Sequence, residues 1–327
     1  MTVAIAAVSA VSVWGGGAQP TVALLNHGAE SDVDQLAEAG FDRAVTEFDL
    51  VGREMSTDVG DVDGPVRALS EDGAELVVVQ ATDTDIDAVA RDFPRTRYAV
   101  VMGESTQPNV SNLAFADHEG SYLIGAAAAL TSTNGTIGFI GGVDVDVIHR
   151  FQAGFEAGAR AADPDVRIMI TYLTAPPDYR GYFAPKLAKR AARRQYGQGA
   201  DVIFGAAGFS VEGVFEAAAT MSGGEGPHLW ALGVDVDAYQ AIRDRVEAAR
   251  WRPHILSSMV KHIERGVYLA LADHARGAFS PGSRILNLAN GGVGISYRGG
   301  FLDDIRPRLE ALRSDIVAGK IKVPERT

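Results

Sequence analysis

Residues 115–161 of this chain read FADHEGSYLIGAAAALTSTNGTIGFIGGVDVDVIHRFQAGFEAGARA. Small Gly and Ala residues within about Glu119–Leu130 predict a helix whose backbone packs closely against a sheet. The apolar, β-branched run Thr136–Ile140 predicts a strand, and Gly141-Gly142 after it predicts a turn. Ligands of open α/β sheets bind at the carboxyl ends of strands. This stretch therefore indicates an α/β fold with room for a small ligand at the turn.

A second helix is predicted after this turn, starting near Val147. Its inward-facing stripe is formed by Ile148, Phe151 and Phe155, which recur at spacings of three and four. Asp144, just before the helix, is a favoured type of N-terminal cap. Its loop is also expected to face the ligand, which makes Asp144 a candidate ligand-binding residue.

Length and composition are typical of a globular protein with two domains. The chain has 327 residues, of which 46% are hydrophobic and 22% charged, and domains usually span ~100–200 residues. The net charge of −12 argues against nucleic-acid binding, which needs a basic surface. The densest basic run, residues 186–194, is interpreted as a solvated helix face. Because the chain contains no cysteine, disulfides, cysteine-bound metals and thiol catalysis are excluded.

Short apolar strands alternate with helices from residue 21 onward, which predicts parallel, doubly wound sheets. The sequence also repeats itself. Residues 72–81, DGAELVVVQA, resemble residues 198–207, QGADVIFGAA, nearly position for position. The segment GFD at Gly40 likewise resembles GFE at Gly154. Two similar α/β halves, forming two lobes, are the simplest explanation.

The N-terminal residues 2–14, TVAIAAVSAVSVW, form an uncharged apolar segment about as long as the hydrophobic part of an export signal. This segment is too short to span a bilayer, which takes ~20 residues. Residues 16–18 are small, as at a cleavage site, but no basic residues precede the segment. Residues 1–20 are therefore interpreted as the remnant of an export signal or anchor. The alternative is a buried first strand or a disordered tail.

Seven separated segments, in the right order, resemble the basic membrane protein (BMP) family. They are residues 115–161, 109–110 (NV), 199–204 (GADVIF), 233–235 (GVD), 258–261 (SMVK), 291–294 (GGVG) and 319–324 (GKIKVP). The resemblance extends from about Thr21 to Pro324. Members of this family are substrate-binding lipoproteins of ABC transporters, and the characterised members bind purine nucleosides.

The resemblance implies a type I periplasmic-binding-protein fold. In this fold, two Rossmann-like lobes with parallel sheets are joined by a three-segment hinge, and a ligand binds in the cleft. We expect residues 21–109 and 236–285 in lobe 1, and residues 110–235 and 286–327 in lobe 2. The implied function is extracytoplasmic: the protein closes on a nucleoside-like ligand and presents it to an ABC permease. We expect it to be membrane-associated or secreted, with the membrane contacted only through an N-terminal anchor.

Three residues fall on binding motifs of the family. Asp235, in the G-V-D motif, would accept hydrogen bonds from ribose hydroxyls, and Lys261, in the S-M-V-K motif, would donate to the same sugar. Phe204, at the end of the D-V-I-F strand, would stack on the base, with Phe209 as the other candidate ring and Gly208 beside it. Each of the three also has a structural interpretation. Asp235 would then be a helix cap, Lys261 a solvated helix start and Phe204 a core residue.

Two departures from the family pattern concern the base. The family's S-F-N-Q segment is replaced by residues 32–35, DVDQ, so one stacking ring is missing and Asp34 is a candidate contact. Met102 stands where the family usually has an aspartate, and Glu104 follows two residues later. Losing one ring should lower affinity about tenfold. We expect the sugar side of the site to be retained. The alternatives to a nucleoside are a modified nucleoside, another sugar-like ligand or loss of binding.

Catalysis is not expected. Neither G-x-S-x-G nor H-E-x-x-H occurs, and His118 and His149 have no partner at a metal-binding spacing. No metal or other cofactor is therefore predicted. The alternative function is a membrane-anchored, ligand-sensing regulatory protein that uses the same fold without transport. The absence of a cysteine that could carry a lipid favours this alternative or a secreted form.

Overall fold

A computed structural model describes residues 21–26, 31–57, 62–80, 86–223 and 227–326. The predicted signal or anchor at 1–20 therefore lies outside the described residues. The chain divides into two compact units. The first comprises the described residues up to Ala114 together with Ile263–Ile285, and the second comprises Phe115–His262 and the residues from Leu286 onward. The chain thus passes between the units at Ala114, His262 and Ile285.

The first unit is built on one six-stranded sheet. In chain order its elements are β1 (Thr21–Asn26), α1 (Asp32–Phe48), β2 (Val51–Ser56), α2 (Asp63–Glu71), β3 (Leu76–Gln80), α3 (Asp87–Asp92), β4 (Arg97–Val101), β5 (Val110–Phe115), α10 (Ile263–Ala275) and β11 (Gly282–Leu286). The strand order is β11-β5-β4-β3-β1-β2, and the neighbours from β5 to β2 pair in parallel. Every residue of β3 is buried, as expected for a strand covered on both faces.

The second unit has a sheet of the same design. Its elements are α4 (Asp117–Thr131), β6 (Thr136–Val143), α5 (Asp146–Ala162), β7 (Arg167–Thr174), α6 (Pro185–Gly197), β8 (Val202–Ala206), α7 (Val211–Met221), β9 (Trp230–Gly233), α8 (Ala238–Ala241), α9 (Ala248–Trp251), β10 (Ile255–Lys261), β12 (Val293–Ile295) and α11 (Arg306–Val317). The strand order is β12-β10-β9-β8-β6-β7, and only β12, among these described strands, is antiparallel to its neighbour.

The internal repeat of the sequence is confirmed by this topology. Residues 72–81 include β3 and residues 198–207 include β8, and these two strands occupy the same place in the two strand orders. The repeated glycines lie at equivalent helix crossings. A Cβ at Gly40 of α1 would lie 2.2 Å from the backbone oxygen of Glu264 on α10, and one at Gly154 of α5 would lie 2.1 Å from that of His118 on α4. Both crossings therefore require glycine.

One expectation about local structure was wrong. Gly141-Gly142 does not form a turn but continues β6. A Cβ at either glycine would approach a tyrosine ring, Tyr172 or Tyr182, to 2.7 Å. These glycines therefore serve close packing.

The expected lobe boundaries also need correction. Residues 236–262 were assigned to lobe 1 but lie in the second unit, because β10 pairs with β9 and β12 there. Residues 110–114 belong to the first unit, because β5 pairs with β4.

Among the described helices, none has the length and apolar character that a membrane span requires.

Candidate functional site

Asp235 lies just beyond the carboxyl end of β9, in a backbone conformation that its side chain tolerates. The strand ends at Gly233, where a Cβ would lie 2.6 Å from the Oγ of Ser258, so glycine permits the close approach of β9 to β10. Asp235 has a φ of 66°, in the left-handed region that Asp visits more readily than most residues. Its side chain remains 30% exposed. The backbone thus holds Asp235 in place, while part of its side chain is accessible.

Lys261 ends β10, the strand next to β9, and the structure brings it to Asp235. Its backbone N–H donates to the carbonyl oxygen of Asp235 at 2.9 Å, which joins the two strand ends. Its Nζ lies 3.0 Å from Oδ1 of Asp235, and its side chain is only 7% exposed. Lys261 is therefore not a solvated helix start. It forms a buried ion pair with Asp235 at the carboxyl edge of the second sheet.

Asp117 is a third member of this site that sequence reasoning missed. It is the first residue of α4, its side chain is 4% exposed, and its Oδ1 lies 3.3 Å from Nζ of Lys261. The rings of Phe115 and Phe151 lie 5.7 and 5.1 Å from the same Nζ. Because a buried charge is costly without partners, these four groups together stabilise the ammonium. An acidic residue in a first helical turn is common, so Asp117 carried no distinctive signal.

The electrostatics of the three residues are coupled. Burial acts to lower the pKa of Lys261, but the charges of Asp117 and Asp235 outweigh it, and the pKa of Lys261 is raised above its ordinary value. Burial raises the pKa of Asp117, against the attraction of Lys261 and, more weakly, Arg150. The ammonium of Lys261 is therefore charged at neutral pH.

The expectation that Phe204 stacks on a base is wrong. Phe204 is fully buried within β8. Its ring contacts the rings of Phe139, Phe151 and Phe155, with centroid distances of 5.7, 6.4 and 5.5 Å. A strand in the middle of a parallel sheet points its side chains into the two helix layers, so Phe204 belongs to the core.

Phe209, the other candidate ring, is exposed. It follows β8, is 54% exposed, and stacks on Phe183, which is 65% exposed, with ring centroids 5.7 Å apart and planes at 28°. The loops that carry the two rings are joined by Ser210, whose Oγ donates to the carbonyl oxygen of Gly181 at 2.6 Å. Gly208, with a φ of 53°, makes the turn before Phe209. These loops follow β7 and β8, at the same edge of the sheet as Asp235.

Asp144 does not cap the helix that follows it. The cap position of α5 is Val145, without a side-chain hydrogen bond. Oδ1 of Asp144 instead lies 2.7 Å from Nε2 of His149, and Nδ1 of His149 lies 3.6 Å from Oδ1 of Asp146. His149, which the sequence showed without a spaced partner, is therefore flanked by two carboxylates.

The candidates in the first unit lie on different elements. Asp34 is on α1 and is buried, and its Oδ2 accepts a hydrogen bond from Oγ of the capping residue Ser31 at 2.6 Å. Met102 follows β4 with a φ of 60°, and Glu104 is exposed in the same loop. These contacts give Asp34 a structural role at the start of α1.

Two amides at the carboxyl edge of the first sheet were also missed. Asn26 ends β1 and Gln80 ends β3, and both are buried. Nε2 of Gln80 donates to Oδ1 of Asn26 at 3.3 Å, and Nδ2 of Asn26 donates to Oε1 of Glu38 at 2.7 Å. Single amide residues after apolar strands have no distinctive pattern, so only the pairing of β1 with β3 reveals them.

The sequence model of the Bmp family, described as ABC transporter substrate-binding protein PnrA-like, matches residues 48–327. The chain belongs to the Bmp family. The resemblance stated from seven segments is therefore confirmed, and the family's function as substrate-binding proteins of ABC transporters applies to this Bmp protein.

Named relatives agree with this assignment. The ABC transporter nucleoside-binding protein BmpA of Lactococcus lactis is 33% identical over 244 residues, which cover 73% of this chain and 67% of the relative. Basic membrane protein A of Borreliella afzelii is 27% identical over 322 residues, covering 93% and 91% of the two chains.

Solved structures confirm the fold class. A solute-binding protein of an ABC transporter from Conexibacter woesei matches with a TM-score of 0.72 at 20% identity, covering 94% of this chain and 99% of that one. A transcriptional activator of the comK gene from Bacillus halodurans matches with the same TM-score, 0.72, at 17% identity, covering 91% and 97%. At these identities the likeness concerns the fold alone.

Proposed function

We propose that this Bmp protein is the extracytoplasmic receptor for a nucleoside-like ligand and that Asp235 binds the hydroxyls of its sugar. The observation that carries the proposal is the Asp235–Lys261 ion pair at adjoining strand ends, with Asp235 partly exposed. A hydrogen bond to a charged group contributes ~1.5–3 kcal/mol, so a fixed carboxylate favours a vicinal diol. The Lactococcus lactis relative, named as a nucleoside-binding protein, supports this ligand class.

Phe209 and Phe183 are the proposed platform for the base. Phenylalanine rings usually avoid water, yet these two stack on one another while more than half exposed. Stacking of a base on an aromatic ring contributes ~1–3 kcal/mol and tolerates different bases. Gly208 would allow the turn that presents Phe209. Asp144 belongs to the same edge of the sheet and stays a candidate contact.

Asp34, Met102 and Glu104 remain proposed contacts for the base side of the ligand. Met102 and Glu104 follow β4 at the carboxyl edge of the first sheet, whereas Asp34 lies on α1. Met102 offers an apolar, polarisable surface where a carboxylate would offer charge. We therefore propose a base that is bound mainly by stacking and apolar contact.

A direct test measures ligand binding by titration calorimetry and by thermal shift. The ligand panel contains adenosine, guanosine, inosine, cytidine and uridine, their 2′,3′-dideoxy analogues and the free bases. We expect at least one ribonucleoside to raise the melting temperature, because a ligand at 100 times its Kd adds ~2.7 kcal/mol of stability. Its dideoxy analogue should bind more weakly by about tenfold or more, because it lacks the 2′- and 3′-hydroxyls that would donate to Asp235.

The matched variants are Asp235→Asn and Asp244→Asn. Asparagine also tolerates the left-handed backbone, so Asp235→Asn removes the charge without the strain that alanine would add. We expect about a tenfold to hundredfold loss of affinity. Asp244 is a highly exposed carboxylate on the same unit, and its replacement should leave affinity unchanged. Equal affinity for ribo and dideoxy ligands, or an unaffected Asp235→Asn variant, would contradict the proposal.

Transport and closure are part of the proposal and have their own measurements. Copurification with an ABC permease from membranes would support uptake, whereas copurification with a regulatory protein alone would support the ligand-sensing alternative. Ligand-dependent closure should lower the radius of gyration in small-angle scattering. Mapping the mature N-terminus in fractionated cells tests the proposed extracytoplasmic location and its anchor.

A further inference from the structure

We propose that Asp117 is a positioning residue, whose buried carboxylate holds the ammonium of Lys261 in place beside Asp235. The inference deepens the proposed function, on which its binding readout rests. Exposure increases through the three side chains, from 4% for Asp117 and 7% for Lys261 to 30% for Asp235. Asp117 thus supports the site from inside, and Asp235 is its accessible member.

The place of Asp117 is itself fixed by the start of α4. The backbone N–H of Ala116 donates to the carbonyl oxygen of Leu286 at 2.8 Å. Oε2 of Glu119 accepts from the backbone N–H of Leu288 at 2.8 Å. The first turn of α4 is therefore bound on both sides of Asp117 to the segment that follows residue 285. A short carboxylate on this turn has little freedom to move.

A second carboxylate changes what Lys261 does to Asp235. Lysine has a flexible stem and a compact charge, so one carboxylate alone restricts the ammonium weakly. With Asp117 at 3.3 Å and Asp235 at 3.0 Å, the positive charge is shared between two acceptors. Asp235 is then held in place but only partly neutralised. Its exposed surface keeps negative charge for the hydroxyl donors of a ligand.

Within the described part of the chain, charged groups on three segments act on Lys261 or on its partner Asp117. Asp117 lies on α4, Asp235 follows β9, and Arg150 of α5 acts electrostatically on Asp117. Because carboxylates raise the pKa of Lys261, removing Asp117 should lower it. If binding requires a charged Lys261, the ligand should no longer bind above a certain alkaline pH. This alkaline limit should be lower in a variant that lacks the Asp117 carboxylate. A role of Asp117 in stability alone would not move this limit.

The experiment compares Asp117→Asn with Asp201→Asn. Asp201 is equally buried in the same unit, where its carboxylate accepts hydrogen bonds from Ser132 and Thr133. Binding of the best ribonucleoside of the panel is measured from pH 7 to pH 11, together with urea unfolding. For Asp117→Asn we expect affinity about tenfold lower at pH 7 and a lower alkaline limit. Asp201→Asn should lose stability but keep the wild-type affinity and limit.

A ligand-independent measurement separates this inference from the proposed function. In 15N-lysine-labelled protein, the Nζ resonance of Lys261, assigned with Lys261→Met, should titrate at lower pH in Asp117→Asn than in the wild type. Asp117→Glu, which retains a carboxylate, is the control and should titrate as the wild type does. Asp117→Ser, which is smaller and uncharged, serves if Asp117→Asn does not fold, and it should also titrate at lower pH. Unchanged titration and affinity in Asp117→Asn would overturn the role of Asp117. A wild-type protein that binds no nucleoside would overturn the proposed function, while the titration still tests Asp117.

Discussion

The two units share one strand order but differ at the carboxyl edges of their sheets. The edge of the second sheet carries a buried ammonium between two carboxylates, and exposed aromatic rings lie on neighbouring loops. The edge of the first sheet carries the amide pair of Asn26 and Gln80, and the apolar Met102 follows β4. The architecture is thus repeated whereas the chemistry is not. A duplicated scaffold needs the same core and crossing residues, but its strand ends are free to diverge.

Among the tests of this contrast between the two sheet edges, Lys261→Met is expected to have the largest effect. This change leaves the carboxylates of Asp117 and Asp235 without their cation, and removing one partner of a buried pair costs ~3–5 kcal/mol. We expect the free energy of unfolding in urea to fall by about that amount and ligand binding to be lost. Lys189→Met is the control, because Lys189 pairs with Glu216 near the surface, where pairs contribute ~0–1 kcal/mol. An equal loss of unfolding free energy in both variants would contradict the buried cluster of Lys261 with Asp117 and Asp235.

Phe204→Ala and Phe209→Ala should distinguish the role of a core ring in β8 from that of an exposed ring in the loop after it. Phe204→Ala removes a fully buried ring and should cost ~3–5 kcal/mol of stability. Phe209→Ala should change stability by less than about 0.5 kcal/mol but weaken nucleoside binding by ~1–3 kcal/mol. Urea unfolding and calorimetry measure the two quantities. A large stability loss in Phe209→Ala with unchanged binding would mean that the exposed rings serve packing.

Gly40→Ala and Gly154→Ala test whether the two units share their helix crossing. An added Cβ would meet backbone 2.2 or 2.1 Å away, so each variant should lose ~1–3 kcal/mol through overpacking. Gly197→Ala, in a helix position with nothing within 4 Å, should be neutral or slightly stabilising. Thermal unfolding provides the comparison. If only one of the two variants lost stability, the two helix crossings would not be equivalent.

A smaller effect should appear in the pH dependence of the first unit. Burial lowers the pKa of His274, and Nη1 of Arg97, 3.1 Å from its Nδ1, donates to the neutral ring. The unfolded chain therefore binds the proton first as pH falls through ~6.5, and stability is lost below that pH. His274→Gln should show a shallower decrease in unfolding free energy between pH 7 and pH 5. A slope identical to the wild type would exclude His274 as a contributor.

Much of the fold could be predicted because its signals are local. The alternation of apolar strands with helices, the repeated segments and the motifs of the family each lie within short stretches. The wrong predictions concern residues whose structure depends on a neighbour that is distant in sequence. Gly141 lies in a strand because it pairs with Tyr172 of β7, and residues 236–262 join the second unit because β10 pairs with β9.

The candidate site was predictable only in part. Asp235 and Lys261 were identified through motifs, and the structure places their charged atoms 3.0 Å apart. The family motif favours Phe204 over Phe209 as the stacking ring, but the burial of a ring depends on the layers that cover its strand. Asp117, Asn26 and Gln80 could not be found, because each is recognised only by a partner on another element.

The sequence by itself determined the α/β class, the duplication and the family, because hydrophobic periodicity, repeats and motifs are written along the chain. Only the tertiary structure decided which charged groups meet. The contact of Asp117 with Lys261 joins the start of α4 to the end of β10, and folding alone brings these distant segments together. Burial then sets the pKa of each group, since desolvation and opposing charges act through space and not along the sequence.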